Sequence, residues 1–230
     1  MTPLVLLVTL LGTPPEAGGF YFEQTTQRYE DGQAQGPSIL SKVWISGRKM
    51  RLEAGGERSP VLLLRLDRSQ AVRLDPVGKV ATSIPLDDLR SRTQLDLAAA
   101  GEMMGGAEEG SARTRALEGT RVIAGQTCEG YRIKSPGGTT DVWVARGAGI
   151  GVDAFAEFLE WSGADQAVGG LLSELRRLPG FPMETRSRVV VLGRAHDAVS
   201  TVGVLRVERV DPQMFETPPD YRLVLEPKEP

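Results

Sequence analysis

Apolar and polar residues alternate in short runs along most of this chain, which is the period of half-buried β-strands. Phe20 to Arg28, Ile39 to Ser46, Lys49 to Glu53, Val61 to Asp67, Ala71 to Leu74 and Lys79 to Ile84 read as strands. They are separated by turn-forming residues: Asp31-Gly32, Gly36-Pro37, Gly47, Gly55-Gly56, Asp67-Arg68-Ser69 and Asp75-Pro76-Val77-Gly78. Breaks this close together predict hairpins, hence an antiparallel meander. No βαβ alternation is present, which disfavours a parallel sheet with a dinucleotide site. Extended sequence resumes at Arg113 to Ala124, Thr127 to Lys134 and Thr139 to Ala145, and again at Met183 to Leu192 and Ser200 to Val210. An irregular, proline-rich tail is expected from Asp211.

Three stretches change to a helical period. Pro85 suits a first turn and Asp87-Asp88 favour its positive end, after which Leu86, Leu89, Thr93, Leu97, Ala100 and Met104 recur near one face. Val152, Phe155, Ala156 and Leu159 follow the i, i+3, i+4, i+7 pattern, as do Val168, Leu171, Leu172 and Leu175, extended by Leu178. Arg176-Arg177 and then Pro179-Gly180 supply a cationic last turn and a stop. Several strands carry large residues of both parities, as in Val43-Trp44-Ile45 and Val142-Trp143-Val144. A sheet covered by helices on one side, or one curved around a hollow, would use both faces. The periodicity leaves both arrangements open.

The first residues obey neither period. Pro3 to Leu11 is an apolar run of signal-peptide length, too short to span a bilayer, and it passes through Pro14-Pro15-Glu16-Ala17 into the first strand. Residues 1–17 are therefore expected to be a signal peptide, with 18–230 a single domain exported to the periplasm if the organism has an outer membrane. No stretch of the mature chain is long and apolar enough to serve as a transmembrane anchor. Hydrophobic residues at 40% and charged residues at 25% fit a globular protein with a real core. The 27 Lys+Arg against 30 Asp+Glu are interspersed, leaving no electrostatic footprint for nucleic acid.

Residue chemistry points to no catalytic site. His196 is the one histidine and lies in a turn-like sequence, Gly193-Arg194-Ala195-His196-Asp197, so a triad or a multi-histidine metal site has little to stand on. Cys128, the one cysteine, rules out an intramolecular disulfide and reads as a small buried packing residue. The carboxylate pairs Asp87-Asp88, Glu108-Glu109 and Glu157 with Glu160 are explained by helix-terminal charge and solvated surface. Gly147-Ala148-Gly149-Ile150-Gly151 lacks the Lys and Ser/Thr of a phosphate loop. No cofactor and no metal are expected. The helical faces with Phe155, Phe158, Leu159, Trp161, Leu171, Leu172 and Leu175 read either as core or as the lining of a cavity.

Several phrases occur in a recognisable order: Lys42-Val43-Trp44-Ile45-Ser46-Gly47-Arg48-Lys49-Met50-Arg51, Ala124-Gly125-Gln126-Thr127-Cys128-Glu129-Gly130-Tyr131 and Thr140-Asp141-Val142-Trp143-Val144. Leu178-Pro179-Gly180-Phe181-Pro182 and Asp211-Pro212-Gln213-Met214-Phe215-Glu216-Thr217-Pro218-Pro219-Asp220-Tyr221 complete the set. Over nearly the whole mature chain the sequence resembles an exported bacterial family, domain of unknown function 4412. That family is similar to the superfamily of the periplasmic lipoprotein carrier LolA and its outer-membrane receptor LolB. The resemblance implies a mainly β (α+β) fold: a curved, incompletely closed antiparallel sheet or half-barrel, with helices covering the concave side around an apolar cavity. It carries over no individual binding residue. The function it implies is that of a soluble, non-enzymatic binding protein holding a lipid, an acyl chain or a lipidated protein. The expected lining is Trp44, Trp143, Phe155, Phe158, Leu159, Leu171 and Leu175. The alternative is an envelope protein-interaction or sensor module with a filled core.

Overall fold

The computed structural model describes residues 18–91, 112–135, 138–150, 153, 157–158 and 170–225. Strands dominate: β1 (Gly19–Glu30), β2 (Gln33–Ala34), β3 (Ile39–Ser46), β4 (Lys49–Ala54), β5 (Val61–Arg65), β6 (Gln70–Asp75), β7 (Val80–Pro85), β8 (Arg113–Ile123), β9 (Gln126–Ser135), β10 (Gly138–Ala145), β11 (Phe181–Val191), β12 (Arg194–Glu208) and β13 (Arg222–Leu225). Helical residues occur at 86–91, 153, 157–158 and 171–176, the last forming the short helix Leu171–Arg176. The expected export signal, much of the first expected helix, and Phe155, Leu159 and Trp161 lie outside the described residues.

All the strands join one sheet in the order β13-β7-β6-β5-β4-β3-β1-β12-β11-β10-β9-β8, with β2 pairing to β1. The sheet is open, with β13 and β8 as its edges. Two meanders, β3 to β7 and β8 to β12, flank the first strand. Tight hairpins build each meander, but the long pairing of β1 with β12, from Gly19↔Glu208 to Glu30↔His196, joins the chain's two ends. A register shift between Glu23 and Gln24 lets these long strands bend.

Strand alternation sorts the side chains. Phe20, Ile45, Met50, Leu64, Ala71 and Ile84 stand opposite one another in register across six strands. They join the largest buried cluster with Leu86, Cys128, Trp143, Phe158, Phe181 and Met183. On the other face, Val61, Leu63, Val72, Leu74 and Ala81 form a second cluster, against which Tyr221 packs. A third gathers Ile133, Val142, Val144 and Leu178, with Leu171 and Leu175 packed against it.

The C-terminal segment is more ordered than its prolines suggest. Asp211 caps a 3-10 helix, Pro212–Phe215, by accepting a hydrogen bond from the Gln213 N–H. The Phe215 ring is then 1% exposed. Beyond it, Arg222 to Leu225 add to β7 as a parallel strand. Their run Leu223-Val224-Leu225 is too short to be distinctive, and the free edge of β7 decides its pairing. Arginines fasten the segment. Arg65, 3% exposed, donates to both carboxylate oxygens of Asp67, to the Phe215 carbonyl and to Glu216, while Arg51 donates to the Met214 carbonyl.

His196 is not in a turn. β12 begins at Arg194, directly after the two-residue turn Leu192-Gly193, whose φ angles are +50° and +80°. That geometry closes a hairpin, so the polar residues after it continue as strand through pairing with β11, from Val191↔Arg194 through Val189↔His196.

Candidate functional site

Helix Leu171–Arg176 lies at the border of an apolar cleft. Its sequence places Leu171 and Leu175 one turn apart on one face, both half-buried against Ile133, Val142, Val144 and Leu178. Glu174, although charged, is 9% exposed because it faces partners: the Thr114 hydroxyl donates to it at 2.6 Å, and Arg177 reaches it from one turn on. This ties the helix to edge strand β8.

Between Leu175 and the sheet lies a cavity of about 160 Å³, lined by Phe22, Gln24, Phe181, Pro182, Thr185 and Ser200. Phe22 and Phe181 meet edge to face at 5.4 Å, and Phe20 closes on Phe181 at 6.2 Å, so the wall is largely aromatic. Two of its polar groups are engaged: the Gln24 amide donates to Thr26 Oγ1 at 3.3 Å, and the Thr26 and Ser200 hydroxyls lie 2.8 Å apart. No ionisable side chain lines the cavity. A site with such a lining is suited to hydrocarbon and offers no charge to a ligand. Its volume is below the roughly 300 Å³ at which ordinary ligand pockets begin.

The residues expected from sequence to line one cavity are distributed. Leu171 and Leu175 share a cluster and Leu175 reaches the cleft. Phe158 is 5% exposed and joins the largest cluster, its neighbour Glu157 paired to Arg48 at the β3–β4 turn. Trp143 points to the opposite side of β10 from Val142 and joins that same large cluster. Its ring lies over Gly130, and the Arg121 guanidinium sits 4.1 Å from its centroid. Trp44 points away from Val43 and Ile45 and packs on Tyr21 at 4.8 Å. Burial pushes the Tyr21 phenol well above its usual pKa, and a hydrogen bond to Glu23 adds to the rise. Phe155 and Leu159 lie outside the described residues. Sequence reasoning missed Phe22, Phe181 and Pro182, whose apolar character was visible but whose meeting depends on pairing β1 with β12 and β12 with β11.

The two residues most suggestive of catalysis stand apart. Cys128 is fully buried, and burial raises its thiol pKa, which keeps the nucleophilic thiolate scarce. His196 is half-buried on β12, opposite Glu30 and Val189. Among the described residues no group of three His, Cys, Asp or Glu side chains is placed to hold a metal ion, and no helix is long and apolar enough to cross a membrane.

A model of the family described as Domain of unknown function (DUF4412) matches residues 86–221, more than half of the chain. No curated protein matches it. Among solved structures, the chain is similar to PNGF-II at 13% identity and a TM-score of 0.37, covering 92% of this chain and 31% of that one. It thus spans about a third of that protein's length. A putative outer membrane lipoprotein-sorting protein domain from Vibrio parahaemolyticus is similar at 10% identity and a TM-score of 0.34, with 86% of this chain and 89% of that one covered. A DUF1329 family protein from Desulfovibrio piger is similar at 9% identity and a TM-score of 0.33, with coverage of 88% and 91%.

Proposed function

The chain belongs to the DUF4412 family, and we propose that it is an exported binding protein that takes up a lipid, an acyl chain or a lipidated partner, with helices covering the concave side of its open sheet. One observation carries this reading: the aromatic cleft beside Leu175, with hydrocarbon on its walls and no ionisable side chain in its lining. Each buried methylene contributes about 0.8 kcal/mol, so even a short length of acyl chain gains from entering without any polar contact. The helix that borders the cleft is short and held at its edge by Glu174, which suits an element that shifts to admit more of a chain. The apolar run Pro3 to Leu11 supports export.

The test is uptake of a fluorescent fatty acid by the full chain, together with lipid extraction after gentle purification. Saturable binding that Leu175→Gln weakens several-fold, with little change in Tm, supports the reading. Absence of uptake and of co-extracted lipid, with a large loss of stability in that variant, overturns it. The cleft's small volume favours the second reading, an envelope interaction module with a filled interior, in that event.

A further inference from the structure

The sheet face opposite the cleft carries a concentration of charge. Two registers run across it. Arg115, Arg132, Asp141, Arg186 and Val199 stand opposite one another from β8 to β12, and Arg113, Lys134, Thr139, Arg188, Asp197 and Tyr29 do so in the next row. The two rows hold six cations and two carboxylates, in a chain whose net charge is −3. Where the rows cross β9 to β12 and β1 they border a groove of about 580 Å³, lined by Tyr29, Arg132, Asp141, Arg186, Arg188 and Asp197. Its volume falls within the range of ordinary ligand pockets.

The carboxylates do not neutralise this face. Asp141 is engaged by Arg132 in a two-point pair, Nε to Oδ1 at 2.5 Å and Nη2 to Oδ2 at 2.6 Å, and Asp197 faces Arg188 Nε at 3.3 Å. Arg186 has no carboxylate within ion-pairing distance among the described residues, and neither do Arg113 and Arg115. Arg115 stands directly opposite Arg132, and Arg113 opposite Lys134. Like charges at opposed positions of an antiparallel pair destabilise the sheet. Asp141 gains from Arg132 and, at longer range, from Arg186 and Arg115, but one carboxylate does not balance three guanidinium groups, and a bound anion would relieve the repulsion that is left.

We propose that this groove binds a phosphate group. Guanidinium groups present planar, paired donors that match phosphate oxygens, and Arg186 and Arg188, two residues apart on one strand, point to the same face. Tyr29 adds an aromatic wall with a hydroxyl. The groove is separate from the apolar cleft, because Thr185 and Ser200 face the cleft while Arg186 and Val199 face the groove. The phosphate can be that of a soluble compound or of a lipid headgroup at a membrane surface.

Two probes distinguish those sources: inorganic phosphate by calorimetry, and sedimentation with phosphatidylcholine vesicles with and without phosphatidylglycerol. Saturable phosphate binding assigns a soluble ligand, and sedimentation only with phosphatidylglycerol assigns a headgroup. In either case Arg186→Gln, which orphans no carboxylate, lowers affinity about fivefold, and Arg186→Gln with Arg188→Gln roughly thirty-fold. Arg73→Gln, exposed on β6, serves as the charge-matched control and leaves binding unchanged. Binding of neither probe overturns the proposal, as does binding that the Arg186 variant and Arg73→Gln alter equally. Fatty-acid uptake is unaffected by Arg186→Gln, so this site and the apolar cleft fail or stand separately.

Discussion

Gly130 shows how one residue is dictated by a neighbour distant in sequence. A Cβ there would lie 2.9 Å from Cη2 of Trp143, against the ring opposite it on β10. The glycine therefore makes room for the indole, whose ring the Arg121 guanidinium also covers. Gly130→Ala is expected to destabilise the protein by about 1–3 kcal/mol through overpacking, read as a lowered denaturation midpoint with changed Trp143 emission. Cys128, on the same strand, is a packing residue by its burial. Cys128→Ser should cost about 1–3 kcal/mol, since a more polar hydroxyl enters a fully buried site where the thiol donates to the Gln126 carbonyl at 3.4 Å. His196→Ala should change stability by less than about 0.5 kcal/mol, because the ring holds no buried partner. Thermal melts of the variants test all three, and a stable, inactive His196 variant would reopen an enzymatic role.

At the scale of elements, the C-terminal segment matters most. It packs Tyr221 against the apolar cluster of β5 to β7, buries Phe215 and adds β13 to the edge of β7, and Arg65 fastens it. Arg65→Met is expected to cost about 2–4 kcal/mol, since Phe215 O and Asp67 lose the Arg65 donor and Glu216 keeps only Arg68. The hydrogen bonds from Arg65 hold the Asp67 carboxyl below its ordinary pKa of 3.8. Burial pushes Glu216 upward, but Arg65 and Arg68 together bring it below its ordinary 4.5. A carboxyl with a depressed folded pKa contributes stability in full above its unfolded value and loses it as pH falls through the folded one. The fastening should therefore be intact at neutral pH and weaken progressively below about pH 4.5. Melts in steps from pH 7 to pH 3 should show a steeper acid loss for the wild type than for Arg65→Met, and parallel curves would contradict the assignment.

Across the whole molecule, β1 and β12 bind the two meanders into one sheet. Because β1 carries Phe20 and Phe22, which touch Phe181 from the other meander, the halves share a core. Unfolding is expected to be a single cooperative transition. Trp44 sits in one meander and Trp143 in the other, so their emission, each read with the other tryptophans replaced by Phe, should give one denaturant midpoint coincident with circular dichroism. Separated midpoints would show that each meander folds alone.

The periods of two and 3.6 in the sequence determined that the protein is mainly β, placed most strands to within a few residues, and located the helical face of Leu171 and Leu175, because these depend on local alternation and turn chemistry. Ile39–Ser46 is the clearest case, bounded by Gly36-Pro37 before it and Gly47 after it. Only the tertiary structure decided what pairs with what over long separations. The closing of β1 on β12, the seat of β13 on β7 and the row from Arg115 to Arg186 bring together residues far apart in the chain. Loop-closure entropy and complementary packing select those pairings, and neither leaves a local pattern. For the same reason the cleft's lining could be recognised as apolar but not assembled: Phe22, Leu175 and Phe181 become neighbours only when the sheet forms.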